Sequence, residues 1–424
     1  MRRRVVITGM GVCAPNANNI NEFAHALKIG KSGIKHHPEL EELNFRCQIA
    51  GKPNIPEEHI KKYFTPLQLR DLKASGIVYG VISGVDAWKD AGLEIATDLA
   101  PDWDSGIIFG TGILGVDKFR DAIYKVDAKN VRRLGSTTVL QTMASGISAY
   151  LGGLLGCGNQ VTTNSSACST GTEGILMAYE RIASGNAERI LTGSCSDSGP
   201  YVWGGFDAMR ILPRKYNENP EDASRPMSAS ASGFVPGSGA GALVLESLES
   251  AQKRNSKIYV EVLGGAVNCG GQRGGGTMTA PNSTAVKRCL KQAIAYAGVA
   301  KSEIDVINGH LTATSKDPVE IQNWQEVLGC SKEDFPYINS FKSLIGHCLA
   351  AAGSIECVGA ILQFTEKMVF GNRNCVDLHP EILKMVSKEK IPIKSVVFDP
   401  EIMAKASFGF GDVNACVIFK KYKS

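Results

Sequence analysis

Two stretches of this chain end alike. GSGAGALVLE (residues 237–246) and GFGDVNACVIF (residues 409–419) are each a glycine-rich turn that feeds an apolar strand. A unit that recurs together with its turn implies a duplicated arrangement. The segments before the two turns follow one alternation. Val5–Thr8, Gly106–Phe109, Val161–Thr163, Ile190–Thr192 and Ala242–Glu246 read as buried strands of a first half. Ile258–Leu263, Asp305–Asn308, Tyr337–Ser340, Ser395–Phe398 and Ala415–Phe419 read as strands of a second. Helices are expected over Ile20–Ile29, Leu67–Ala91, Thr138–Leu155 and from Cys168 onward, then over Ser283–Gly298, from Pro318 with Asp317 as its N-cap, and over His347–Phe364. The expected fold is α/β, with two similar halves, residues 1–253 and 254–424, and helices layered on and between two mixed sheets. Residues 35–65 read as polar and irregular, and residues 199–238 as a long connection.

The chain has 424 residues, enough for two or three domains. Its 12 cysteines include no CxxC pair. That argues for reduced thiols in a cytoplasm, and against a disulfide framework or a zinc site. A net charge of +4 is too small to argue for nucleic acid, but it suits an acidic protein partner. The opening MRRRVVITGMGV reads as a first strand rather than a secretory signal, because Gly9 and Gly11 break its short apolar run. No apolar run reaches the roughly 18 residues of a membrane span.

One cysteine stands apart. In VTTNSSACSTGTEGILMAYERIASG, Cys168 falls where a strand gives way to a helical pattern, with Ile175, Ala178, Tyr179 and Ile182 on one face and Gly185 at the C-cap. A helix N-terminus offers unpaired N–H groups that favour a thiolate and hold an oxyanion. Ser165, Ser166, Ala167, Ser169, Thr170 and Gly171 leave room beside it for a substrate, whereas Cys13, Cys195 and Cys357 read as small core residues. Two histidines share this placement at strand ends. His310 lies in VINGHLTATSKDP, and His347 in INSFKSLIGHCLAAAGSIE with Lys342 five residues before it. His25, His36, His37, His59 and His379 sit in ordinary settings. Sites in α/β sheets gather at the carboxyl ends of strands. One thiol and two imidazoles there make a nucleophile with two groups that handle protons or polarise a carbonyl.

TNSSACSTGTEG, NGHLTATSKD, NSFKSLIGHCLAAAGSIE and SFGFGDVNA resemble the four motif blocks of the β-ketoacyl-acyl carrier protein synthases, the elongating condensing enzymes of the thiolase fold. The resemblance runs from RRVVITGMGV to NACVIFKK. It implies a decarboxylative Claisen condensation of an acyl thioester with malonyl-acyl carrier protein. Cys168 would carry the acyl chain, and His310 and His347 would bind the malonyl carbonyl. Lys342 and Glu356 would hold and tune the imidazoles. The N–H groups of Cys168 and Phe410 would form the oxyanion hole, with Phe410 also the gate for acyl transfer. Thr312 and Thr314 match residues that bind the phosphopantetheine arm. Ile113, Phe206, Thr138 and Phe408 match the lining of the acyl pocket. Arg70, Arg132, Arg133 and Arg210 match contacts to the acidic carrier, and Lys61, Lys62 and Lys73 could join them, with Asp71 breaking the row. The resemblance implies no metal and no cofactor beyond the carrier's pantetheine. It also implies a cytoplasmic homodimer, or a heterodimer with a ketosynthase-like chain.

The sequence departs from the family at several points. GEGAG reads GSGAG, with Ser238 for the acid, and the aspartate before the GF pair is Ser232. HGTGT reads HLTAT with Leu311 for glycine, and FGFGGTN reads FGFGDVN with Asp412 and Val413. Asp tolerates a left-handed backbone. Thr137 and Thr138 replace bulky aromatics, which predicts an acyl pocket of altered depth or polarity. These departures point towards a specialised polyketide, aryl-polyene or pigment pathway as well as towards fatty acid synthesis. Two rival readings are a thiolase-like transferase acting on coenzyme A and a chain-length partner subunit. The first would need a second basic cysteine, and Cys416 lies within a predicted strand. The second usually lacks the nucleophile.

Overall fold

The computed structural model describes residues 2–96 and 100–423. Five strands from each half build the main sheet. They are Val5–Cys13 (β1), Ser105–Thr111 (β2), Val161–Thr162 (β3), Arg189–Ser196 (β4) and Gly239–Ser247 (β5), then Val260–Cys269 (β6), Val306–Asn308 (β7), Tyr337–Asn339 (β8), Ile402–Gly409 (β9) and Val413–Lys421 (β10). The spatial order is β3-β2-β4-β5-β1 in the first half and β8-β7-β9-β10-β6 in the second. By rank within its half, each reads third, second, fourth, fifth, first. Strand directions match as well, with two parallel pairings followed by two antiparallel ones.

The two expected sheets are joined edge to edge. β1 pairs antiparallel with β6 through Val5↔Val262, Val6↔Glu261 and Ile7↔Val260, so one ladder of ten strands runs through the molecule. Four helices cover it: Ser75–Asp90 (α1), Thr170–Ala183 (α2), Ser283–Ala297 (α3) and Ala352–Glu366 (α4). α1 packs on β1, β4 and β5, and α3 on β6 and β10. α2 and α4 each touch strands of both halves and pack on one another. Their crossing is built on glycine. A Cβ at Gly171 would lie 2.3 Å from Ser354 N, and one at Gly353 would lie 2.7 Å from Thr172 N. Any side chain there would hold the two helices apart. β1 needs glycine at Gly11 because α1 packs against it there, leaving 2.0 Å between a Cβ at Gly11 and the Ser83 carbonyl.

The structure corrects several sequence expectations. β3 is an edge strand and Val161 is exposed. The segment 67–91 is not one helix. It splits into Pro66–Leu69 and α1, because the N–H groups of Lys73 and Ala74 donate to Gln141 Oε1 at 2.8 and 3.2 Å instead of continuing the helical ladder. The segment 138–155 likewise splits, into Thr138–Thr142 and Gly146–Leu155. Residues 35–65 contain a two-stranded ladder, Ile34–His36 with Ile49–Gly51. His347 precedes its helix, which begins at Ala352 after a 3-10 turn at Leu349–Ala351. Asp317 opens the helix Asp317–Leu328 rather than capping it, since its carboxylate is used elsewhere. Strand β9 was not foreseen. Its sequence IMAKASFG places Lys405 and Ser407 in an otherwise apolar run, yet all eight residues are buried.

Candidate active site

Cys168 lies in a 3-10 turn, Ala167–Ser169, directly before α2. Ala167 takes φ +49°, a left-handed conformation that costs an alanine about 1–2 kcal/mol and lets the chain turn sharply ahead of the thiol. The turn is braced from the second half: Ser169 Oγ donates to the Ser407 carbonyl at 3.1 Å and to the Val413 carbonyl at 3.2 Å. The backbone N–H groups of Phe410 and of Cys168 itself lie beside the sulfur and draw the thiol downward. They are placed as two oxyanion donors would be. The helix end was expected to favour a thiolate. Burial outweighs it and pushes the thiol up to about 11, against the opposing pull of Lys342 and the N–H groups. The resting group is therefore a thiol that needs a proton acceptor beside it.

Two imidazoles share the same space. Cys168, His310 and His347 all line one cavity of about 500 Å³, together with Phe234, Thr312, Thr314, Phe408 and Phe410. The rings of His310 and His347 meet edge to face, 5.3 Å between centroids, and His347 also packs on Phe234 at 5.1 Å. Leu349 N–H donates to His347 Nδ1 at 3.1 Å, which puts the proton of the neutral ring on Nε2. Burial holds both imidazoles well below the ordinary histidine range. Lys342 and Lys405 lower both further, and His347 adds to the effect on His310. Neutral rings can donate from Nε2 to a carbonyl oxygen without carrying charge.

The loop carrying His310 holds two left-handed residues, Leu311 at φ +24° and Ala313 at φ +61°, where the family's HGTGT has glycine. The strain is held by two buried carboxylates. Glu320 accepts the N–H groups of His310 and Leu311 at 2.7 and 2.8 Å, and Asp317 accepts those of Thr312, Ala313 and Thr314 at 3.0, 3.1 and 3.4 Å. Asp317 also accepts Met227 N–H at 2.9 Å, tying the loop to the 199–238 connection. Burial pushes Glu320 up to about 7 and Asp317 up to about 6. Neither carboxylate's role was foreseen. The one signal was an acid spaced ten residues from His310 on the following helix.

Lys342 and Glu356 form a buried ion pair. A second lysine, Lys405 of β9, reaches the other Glu356 oxygen at 2.8 Å without hydrogen-bond alignment. Asp412 takes φ +64° as expected, and its carboxylate is buried. It accepts the N–H groups of Gln272 at 3.0 Å and Asn282 at 2.8 Å, so it pins residues 270–282, several of which line the cavity mouth. Ser238 is buried and its N–H donates to the Gly51 carbonyl at 2.9 Å.

The other residues singled out by sequence scatter more widely. Thr312 and Thr314 line the cavity with hydroxyls 3.1 Å apart. Phe206 sits behind it, against Phe234 at 5.6 Å and Phe410 at 6.1 Å. Ile113 and Thr138 are not among the residues lining this cavity in the single chain. Ile113 is exposed, and the Thr138 hydroxyl donates to the Leu134 carbonyl at 2.6 Å. Arg70, Arg132, Arg133 and Arg210 are exposed and, among the described residues, have no carboxylate partner. Lys62 is exposed, Lys61 is paired with Glu57 and Glu58, and Lys73 with Asp121. Asp71 is occupied by the buried Lys118 and does not face outward as a free charge.

Comparison with known proteins gives one family. The models "Beta-ketoacyl synthase, N-terminal domain" and "Beta-ketoacyl synthase, C-terminal domain" match residues 2–251 and 259–376. The 3-oxoacyl-(acyl-carrier-protein) synthase 1 of Haemophilus influenzae is 34% identical over 99% of both chains. Two solved structures, the ishigamide ketosynthase/chain length factor (TM-score 0.88) and a type II PKS ketosynthase in complex with its acyl-carrier protein (TM-score 0.87), are each 26% identical over 100% of both chains. No helix among the described residues is long and apolar enough to cross a membrane.

Proposed function

The chain belongs to the β-ketoacyl synthase family, a family of acyltransferases, and we propose from its site how it performs decarboxylative condensation in fatty acid or polyketide synthesis. The supporting observation is the convergence of one thiol and two neutral imidazoles on one cavity, with two N–H groups beside the sulfur. Cys168 gives its proton to a neighbouring imidazole and attacks the carbonyl of an acyl thioester. The oxyanion rests on the N–H groups of Cys168 and Phe410, the carrier thiol leaves with the proton, and the acyl chain stays on sulfur. Malonyl thioester then enters. Nε2–H of His347, with His310 beside it, donates to its carbonyl oxygen, and the C–C bond to the carboxylate breaks to release CO2. The enolate carbon attacks the acyl-Cys168 carbonyl, the same two N–H groups hold the second oxyanion, and collapse expels the Cys168 thiolate and β-ketoacyl carrier. Oxyanion donors of this kind are worth about 3 kcal/mol each.

Thr312 and Thr314 would bind the pantetheine arm, the only prosthetic group in this reading. Exposed Arg70, Arg132, Arg133 and Arg210 would meet an acidic carrier in the cytoplasm. A second chain, identical or ketosynthase-like, would cover the apolar surface of Ile113, Phe119, Ile123, Val139 and Leu140, and so bring Ile113 and Thr138 to an acyl pocket. Two rival readings lose ground on observation. Cys416 is fully buried in β10 within an apolar cluster and is no base for a thiolase-like reaction. A chain-length subunit would not need the intact thiol and imidazoles.

Incubating the purified chain with acyl-carrier should add one acyl mass on Cys168, and Cys168→Ala should abolish it. Transfer unchanged in that variant would reject the mechanism, and faster turnover with acetyl-coenzyme A than with malonyl-carrier would favour the thiolase-like rival.

A further inference from the structure

Behind the two imidazoles lie three buried charges. Glu356 on α4, Lys342 after β8 and Lys405 on β9 are each 1% exposed or less. The carboxylate is divided, one oxygen to each lysine. Two cations against one anion leave one positive charge unmatched in the interior. An excess of this kind is costly unless some other function holds it there.

Lys405 is wired to the reacting groups on several sides. Its ammonium donates to the Ala406 carbonyl and to Ser407 Oγ at 3.2 Å. Ser407 Oγ bonds Thr172 Oγ1 at 2.8 Å, and Thr172 lies on α2, the helix that Cys168 precedes. Three residues further along β9, Phe408 packs on the His310 ring at 6.0 Å. One strand therefore carries a buried cation at one point and Phe408 just beyond it, and it leads directly into Phe410 with its N–H.

We propose that Lys405 is a positioning residue of the condensation: by sharing Glu356 with Lys342, it leaves an uncompensated positive charge behind His310 and His347. The inference rests on the condensing function above. Burial is the larger cause, and that charge adds to it in keeping the imidazoles unprotonated, and therefore able to donate from Nε2, at pH values where an ordinary histidine would be charged. It also favours the negative charge that develops on the enolate oxygen in the same cavity. A lysine that only filled the strand would need no carboxylate partner on another helix, and Glu356 paired with Lys342 alone would be neutral.

The ionisable groups facing this cluster are Lys342, Glu356, Cys168, Cys348, Cys357, Cys416, Glu320 and the two imidazoles. Burial pushes the Cys348, Cys357 and Cys416 thiols up, so they stay uncharged throughout the working range. Glu320, pushed up to about 7, titrates in that range. Lys342 is the lysine that acts on it, and Lys405 is not among its perturbing groups. Its contribution is thus common to the wild type and to Lys405 variants.

The test is the acid limb of the pH profile of CO2 release from malonyl-carrier, followed from about pH 8 down to the lowest pH at which the protein stays folded. Lys405→Met should move the midpoint of that limb up by about one pH unit, so that at a pH below both midpoints the rate, relative to that at about pH 8, falls about tenfold against wild type. Lys405→Gln, which keeps a donor toward Glu356, should give the same shift and serves if the Met variant does not fold. Lys405→Arg keeps the charge and should keep the limb. The double variant Lys405→Met/Glu356→Gln restores one net positive charge through Lys342 and should return the limb towards the wild-type position. A limb unmoved in folded neutral variants, or a rate loss equal at every pH, overturns the proposal and makes Lys405 a packing residue. Wild type that releases no CO2 at any pH would instead overturn the condensing reading itself.

Discussion

The two halves share one strand order and one set of strand directions, yet they contribute unlike chemistry. Of the ionisable side chains lining the cavity among the described residues, only Cys168 comes from the first half, while His310, Lys316, Asp317, Glu320 and His347 come from the second. The first half supplies a thiol on a backbone turn and needs little more than N–H groups and close helix packing to hold it. In the proposed reaction the second half supplies proton and charge handling, which needs desolvated ionisable groups, each with partners. That is why its interior holds Lys342, Glu356, Lys405, Asp317, Glu320 and Asp412. A duplicated scaffold can thus divide a reaction, with attack on one side and charge stabilisation on the other.

The sharpest way to break this contrast is His347→Ala. Condensation should fall by about 10²–10³, the size of a lost oxyanion-type donor, while acyl loading of Cys168 changes only a few-fold. Single-turnover mass measurements of acyl-Cys168 separate the two steps. An equal loss in both would mean that the labour is not divided between the halves.

Glu320→Gln tests the scaffold of the second half. It leaves one of two buried N–H donors without its carboxylate oxygen and should cost about 1–3 kcal/mol at neutral pH, read by urea unfolding. The pH dependence carries a definite sign. Glu320 is raised in the folded state to about 7, so folding binds its proton between the unfolded carboxylate range and pH 7. Wild-type stability should therefore fall more steeply than the variant's as pH rises from about 4.5 to about 7. Parallel slopes would deny Glu320 its raised value.

The smallest effect compares the two equivalent turns. Asp412→Gly removes the acceptor for Gln272 and Asn282 N–H and should cost about 1–2 kcal/mol, with hydrogen exchange of those amides about tenfold faster. Ser238→Ala, at the matching turn of the first half, loses only a weak 3.4 Å contact to the Gly51 carbonyl and should cost under about 1 kcal/mol. Equal effects would show that the Asp412 carboxylate does no more at its turn than the Ser238 hydroxyl does at the other.

Much of this was legible in the residues. The alternation of apolar strands and amphipathic helices, closed twice by a glycine turn, pointed to the duplicated α/β layout. The small-residue run around Cys168 and the glycines before His310 and His347 marked three side chains that do line one cavity. The edge position of β3 was not legible, because Val161 is apolar and only its place at the end of the ladder exposes it. Nor was β9, because Lys405 interrupts its apolar pattern.

The sequence determined which side chains are available and, through periodicity, which backbone runs they ride on. The tertiary structure decided what their charges mean. Lys405 and Glu320 read as surface residues by type, and only the fold buries them against Glu356 and against the N–H groups of His310 and Leu311. Residue type fixes a group's intrinsic proton affinity, but desolvation and the nearest charges are properties of the packed interior, and here they set the thiol and both imidazoles.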